Sequence, residues 1–171
     1  MSIVSDIEKL KKEKNAVILA HYYVDDDVQD VADYIGDSFY LSKVATKVSQ
    51  DRIIFAGVEF MGESAKILNP EKRVFMPDIN ADCPMAHMAD KDEILKLSEQ
   101  YDDLAVVCYI NSTAELKKYS DVCVTSSNAV KIVKNLPNKN IFFIPDRNLG
   151  HFVAKQCPDK NCIFNNGCCP R

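Results

Sequence analysis

Polar and apolar positions follow one another along the chain in two textures. Residues 3–14, IVSDIEKLKKEK, place apolar side chains at 3, 7 and 10 with charge between them, the spacing of an amphipathic helix. Residues 15–20, NAVILA, are an unbroken apolar run, the mark of a strand covered on both faces. Helical spacing returns over 28–48, interrupted at Gly36, with Asp25, Asp26 and Asp27 at its opening turn. DRIIFAGV at 51–58 reads as a strand, EFMGESAKIL at 59–68 as a helix and EKRVFMPD at 71–78 as a strand.

The order then starts again. Helices are predicted at 90–101, 113–119, 127–136 and 149–155, with strands at 104–110, 121–126, 140–146 and 161–166 between and after them. Strands without polar alternation, separated by helices, predict an α/β fold with parallel sheets. The repetition predicts two similar three-layer α/β/α units related by internal duplication, residues 1–86 and 87–171. MPDIN at 76–80 and IPDRN at 144–148 read as equivalent strand ends in the two units.

With 171 residues, 47% hydrophobic and 27% charged, the chain can bury a sizeable core. Its net charge of −4 and scattered basic residues exclude the electrostatic footprint of a nucleic-acid or anionic-membrane partner. No apolar run approaches the roughly 18 residues of a membrane span. The first fifteen residues lack a signal peptide's apolar middle, so a cytoplasmic location is expected. In that setting, seven cysteines point to metal or redox chemistry or plain burial rather than to a disulfide framework. Cys108 and Cys123 lie inside apolar strands and read as small buried hydrophobes. Cys83 lies in a turn after a strand. Cys157, Cys162, Cys168 and Cys169 crowd the end of the chain in a spacing that fits neither zinc-finger nor ferredoxin patterns.

In open parallel sheets, ligands sit beyond the carboxyl ends of the strands. The first strand ends in His21-Tyr22-Tyr23, and its counterpart in the second unit ends in Tyr109-Ile110-Asn111-Ser112. The strand at 121–126 runs into Thr125-Ser126-Ser127-Asn128 at a helix start. Hydroxyls, amides and helix N-termini gathered at strand ends suit a small anion such as a carboxylate or phosphate. Plainer readings stand beside this one. His21 can be satisfied by backbone, Asn128 can be an N-cap, and the acidic run can stabilise a first helical turn. Tyr22 reads as packing, and His87 and His151 as surface or capping residues.

Eight motifs in one order, ILAHYY, VQDVADYIGDS, FAGVEFMGESAKILNPEK, PDINADCPMA, YINSTAELK, DVCVTSSNAVKIV, PDRNLGHFVAK and GCCP, resemble the quinolinate synthases almost from end to end of the chain. The resemblance implies the first two of three similar α/β domains set about a pseudo-threefold axis. It implies an enzyme of NAD biosynthesis, a transferase that condenses iminosuccinate with dihydroxyacetone phosphate to quinolinate. Its cofactor would be a [4Fe-4S] cluster held by three cysteines, one from each domain, whose open iron acts as a Lewis acid. Carried over by position, Cys83 and Cys169 would be cluster ligands, Cys169 in preference to Cys168. His21 and Ser38 would bind iminosuccinate, Tyr109, Ile110, Asn111 and Ser126 would add substrate contacts, and Tyr23 would assist proton transfer.

The family continues past the position of Arg171 with a third domain carrying the third cysteine, so the resemblance implies a truncated quinolinate synthase. HYYVDDD also departs from the family, where glutamine often follows the tyrosine. Several arrangements therefore stay open. The chain would work with a separate chain carrying the third domain, self-associate through the face left bare, or recruit Cys157, Cys162 or Cys168 as a ligand. It could also be a non-catalytic iron-sulfur or dicarboxylate-binding module on the same scaffold.

Overall fold

A computed structural model describes residues 2–170. The chain divides into two compact units, one ending at Asp82 and one beginning at Cys83.

The first unit opens with helix α1 (Ile3–Glu13), capped by the Ser2 hydroxyl on the Ser5 N–H. It stops at Asn15, whose positive φ of 50° is a left-handed conformation that asparagine tolerates at a helix end. Strand β1 (Ala16–His21) is buried from Val17 onward. A single helical turn, α2 (Asp26–Gln29), leads to strand β2 (Tyr34–Gly36), and α3 (Ser38–Ala45) returns to β3 (Arg52–Ala56). Helix α4 (Glu59–Leu68) and strand β4 (Arg73–Phe75) complete a parallel sheet of order β2-β1-β3-β4.

The second unit begins at Cys83 with a 3-10 turn, Pro84–His87, whose Met85 and Ala86 are buried. Then come α5 (Lys91–Gln100), β5 (Leu104–Tyr109), α6 (Ala114–Lys118), β6 (Val122–Val124), α7 (Ala129–Asn135), β7 (Asn140–Ile144), α8 (Arg147–Gln156) and β8 (Asn161–Phe164). The sheet is parallel with order β6-β5-β7-β8. One face is covered by a core of Val107, Val133, Ile141, Phe143 and Val153, and the other by Ile94, Val106, Leu116, Phe142 and Ile144. Alternate residues of β5 and β7 serve opposite faces, which is why both strands are apolar between their end residues.

The two sheets share one register. Ala16 pairs with Arg52 as Leu104 pairs with Asn140, and His21 pairs with Gly36 as Tyr109 pairs with Val124, every residue displaced by one constant offset. Side chains repeat it too. Lys72 donates to the Ala45 and Val48 carbonyls at 2.9 and 2.6 Å, and Lys160 donates to those of Leu136 and Asn138 at 2.6 and 2.9 Å.

Three expectations are corrected. The stretch expected to be helical from Val28 contains strand β2, because Asp33 ties the chain into extended pairing beside β1. The Pro-Asp segments are not equivalent: Pro77 follows β4, whereas Pro145 follows β7, the counterpart of β3. Cys123 is exposed, because β6 is an edge strand. Among the described residues no helix is long and apolar enough to cross a membrane.

Candidate functional site

Both sheets direct polar side chains to the carboxyl ends of their strands. His21 is the last residue of β1 and only 6% exposed. Its ring stacks on Tyr22 with centroids 4.5 Å apart and lies 4.6 Å from the Tyr23 ring. The Tyr23 backbone N–H donates to His21 Nδ1 at 3.2 Å, which makes Nδ1 the bare nitrogen of a neutral imidazole and places the proton on Nε2. Burial pushes the His21 pKa below its ordinary value, and the nearby Asp37 carboxylate opposes that only in part. A neutral donor is therefore what β1 presents.

Tyr23 itself is 76% exposed, and its phenol, hydrogen-bonded to that of Tyr22, raises the Tyr22 pKa. Ser38 opens α3 just after Gly36, the residue paired with His21, so it stands at the same sheet end. Asp37 is the N-cap there, accepting the Tyr40 N–H at 2.7 Å. His21, Tyr23 and Ser38 are thus brought together by β1 and β2.

The second unit repeats the arrangement with other chemistry. The offset that relates the sheets carries His21 to Tyr109, Tyr23 to Asn111 and Ser38 to Ser126. Tyr109 closes β5 half-buried, and the Ile110 N–H donates to the Val124 carbonyl at 2.8 Å, holding the two strand ends side by side. Ser112 is fully buried, its hydroxyl donating to the Tyr109 carbonyl at 2.8 Å, which turns the chain toward α6. Ser126 is exposed at the mouth of this corner. Asn128 turns its Oδ1 back to the Thr125 N–H at 2.7 Å instead of capping α7, so the expected N-cap is a loop brace. Thr125 and Ser127 share a hydroxyl hydrogen bond of 2.9 Å beside it.

Cys83 is half-buried and immediately precedes the 3-10 turn, while Cys168 and Cys169 follow β8. Among the described residues no cysteine is in a disulfide. Sequence reasoning missed what fixes the loop after β8. Asn165 is buried and donates from Nδ2 to the Met88 carbonyl at 2.8 Å, and the Gly167 carbonyl accepts the Arg147 N–H at 2.8 Å. A Cβ on Gly167 would overlap the Pro145 carbonyl and stand 2.8 Å from Met88 Cβ. The loop carrying Cys169 is therefore anchored against the segment that follows Cys83. The signal was available in Asn-Asn-Gly, a turn sequence placed between a strand and two cysteines.

Comparison with known proteins adds to this geometry. The family model described as quinolinate synthetase A protein matches residues 5–171. A quinolinate synthase of Fusobacterium nucleatum is 65% identical over 163 residues, covering 95% of this chain and 55% of the relative. One from Clostridioides difficile is 56% identical over 163 residues, 95% of this chain and 54% of the relative. One from Caldicellulosiruptor saccharolyticus is 54% identical over 167 residues, 98% of this chain and 55% of the relative. The chain spans about half the length of the curated relatives it matches.

Proposed function

The chain belongs to the quinolinate synthetase A protein family, and from that premise we propose that its two units are part of a quinolinate synthase, an enzyme of NAD biosynthesis. The reaction is the condensation of iminosuccinate with dihydroxyacetone phosphate. The observation that carries this reading is the family match itself, which runs through both units and includes every polar strand end described above.

In this reading the substrate carboxylates are recognised without a formal positive charge from His21. Its Nε2 donates a hydrogen bond while Nδ1 stays occupied by the Tyr23 N–H. Ser38 adds a hydroxyl at the N-terminus of α3, where backbone N–H groups favour negative charge. The Tyr109 phenol, the Ile110 backbone, the Asn111 amide and the Ser126 hydroxyl bind and orient from the second unit. Tyr23, with its exposed phenol, passes a proton to or from the bound acid.

Cys83 and Cys169 are proposed as two ligands of a [4Fe-4S] cluster. The donors suit it in kind, since neither thiol is in a disulfide and the Asn165–Gly167 anchor fixes the loop of one against the segment following the other. Such a cluster, when bound, supplies an open iron that polarises substrate oxygen or nitrogen.

Anaerobic reconstitution of the 171-residue chain, followed by iron and sulfide quantitation and EPR, tests the ligand assignment beside a Cys83→Ala control. Iron that is retained in full by the control overturns it. Quinolinate formation from both substrates tests the activity. A second reading, resting on the hydroxyls gathered at the carboxyl ends of the strands, is a binding module for dicarboxylates. For that reading a dicarboxylate should raise the melting temperature with no turnover.

A further inference from the structure

Cys108 and Cys123 are register partners on neighbouring parallel strands. Partnered residues on adjacent strands point to the same face, and strands lie about 4.8 Å apart. That spacing falls inside the roughly 4.4–6.8 Å between Cα atoms that a disulfide bridges. The two thiols interact, and the Cys108 Sγ–H also donates to the Tyr109 carbonyl at 3.5 Å. The scaffold does not demand this pair. In the first unit the same two register positions hold Ala20 and Ile35.

The two sulfurs differ in access. Cys108 is fully buried among Ile94, Leu116, Phe142 and Ile144, while Cys123 is exposed on edge strand β6. They differ in acidity as well. The hydrogen bond from Cys123 outweighs burial and, with the Ser112 and Ser120 hydroxyls and the Lys117 charge, brings the Cys108 thiol down to about 7. The same bond pushes Cys123 up. An exposed thiol can meet an incoming disulfide, and the buried thiol beside it can close on the mixed disulfide.

We propose that Cys108 and Cys123 form a dithiol site for low-molecular-weight disulfides, which oxidise it to an intramolecular disulfide across β5 and β6. Cys123 Sγ attacks one sulfur of the small disulfide as its proton passes to Cys108, giving a mixed disulfide and releasing a thiolate. That thiolate takes the proton back from Cys108. The Cys108 thiolate then attacks Cys123 Sγ and expels the second small thiol. Two protein thiols are oxidised, one small disulfide is reduced to two thiols, and no other reactant is needed. The new bond would tie β5 to β6 immediately before Tyr109 and three residues before Ser126, the strand ends that carry the second unit's candidate contacts. The site stands on its own geometry and does not depend on the proposed reaction.

The test is exposure of the reduced chain to glutathione disulfide, then alkylation of remaining thiols and non-reducing peptide mapping. The expected result is a Cys108–Cys123 cross-linked peptide, formed with the loss of two hydrogens and reversed by dithiothreitol. Cys108→Ala should instead trap glutathione on Cys123. Cys123→Ser, a change on the exposed edge that keeps the fold, should leave Cys108 unmodified by glutathione and resistant to alkylation. Recovery of both cysteines alkylated in the wild-type chain, or a stable mixed disulfide on Cys123 that never closes, overturns the proposal. So does glutathione appearing on Cys108 in the Cys123→Ser chain.

Discussion

Asp33 and Ile18 bond each other twice. The Ile18 carbonyl accepts the Asp33 backbone N–H at 2.9 Å, and the Asp33 carboxylate accepts the Ile18 N–H at 2.8 Å. Asp121 and Val106 do the same in the second unit, at 3.0 and 2.7 Å. Each aspartate thereby starts an edge strand beside a central one.

Removing the second of these carboxylates leaves the N–H of buried Val106 without its acceptor. Asp121→Ala should cost about 1–3 kcal/mol, and Asp121→Asn, which keeps an acceptor oxygen, distinctly less. Urea unfolding of the two variants checks the order. Equal losses would show that charge, not the hydrogen bond, is what matters.

Acid should weaken the fold through His21. Because its folded pKa lies below the unfolded value of about 6.5, the unfolded chain binds the proton first. The stability contributed by the neutral imidazole is present above that value and is lost as pH falls toward the folded pKa. His21→Gln, which can still accept the Tyr23 N–H, should flatten that part of the stability profile. Denaturant midpoints across about pH 5–8 provide the comparison, and an unchanged slope in the variant would remove His21 as its source.

Two helical glycines at equivalent positions should respond differently to alanine. A Cβ at Gly62 would overlap the sulfur of the flexible Met76 side chain, which can swing aside. At Gly150 it would meet the Phe164 ring at 2.7 Å and the Phe143 ring at 3.2 Å, neither free to move in the core. Gly62→Ala should be near neutral, since alanine's helix preference of about 1 kcal/mol offsets the adjustment. Gly150→Ala should lose about 1–3 kcal/mol through overpacking. Thermal melts decide, and a reversal of the order would contradict the packing described for α8.

Gly167→Ala should unseat the loop that carries Cys169 while leaving the sheet intact, because the added Cβ meets the Pro145 carbonyl and Met88. Iron incorporated on reconstitution should fall several-fold with little change in far-ultraviolet circular dichroism. Normal iron content would separate that loop from metal binding.

Most of this architecture is legible in the sequence, because unbroken apolar runs such as AVILA and LAVVC can serve only strands buried on both faces. Strand β2 was hidden. It is three residues long and its side chains are largely exposed, so no hydrophobic texture marks it, and the preceding VQDVAD carries helical spacing. Setting Asp33-Tyr34-Ile35-Gly36 against Asp121-Val122-Cys123-Val124 would have revealed it, since the latter reads as a strand without help. The paired Pro-Asp motifs drew attention to the wrong alignment instead. Cys123 was misplaced because its neighbours are apolar, and only strand order shows that β6 has an open side. The polar strand ends were readable as a set. The tautomer of His21 was not, because it depends on a backbone N–H that sequence pattern does not locate, and the anchoring of the Cys169 loop was marked only by the turn sequence Asn165-Asn166-Gly167.

The shared register of the two sheets gives the molecule an internal control. Paired strand residues of one unit have counterparts held by the same backbone pairing, and several strand-end positions differ in side chain: imidazole against phenol at His21 and Tyr109, phenol against amide at Tyr23 and Asn111, an apolar pair against a thiol pair at Ala20–Ile35 and Cys108–Cys123. Ser38 and Ser126 alone among the candidate contacts are the same at both places. What the duplicated chassis has kept constant is its frame and one hydroxyl, and what has diverged is the equipment mounted on it. Exchanging short strand-end segments between the halves would therefore alter chemistry with little change to the frame.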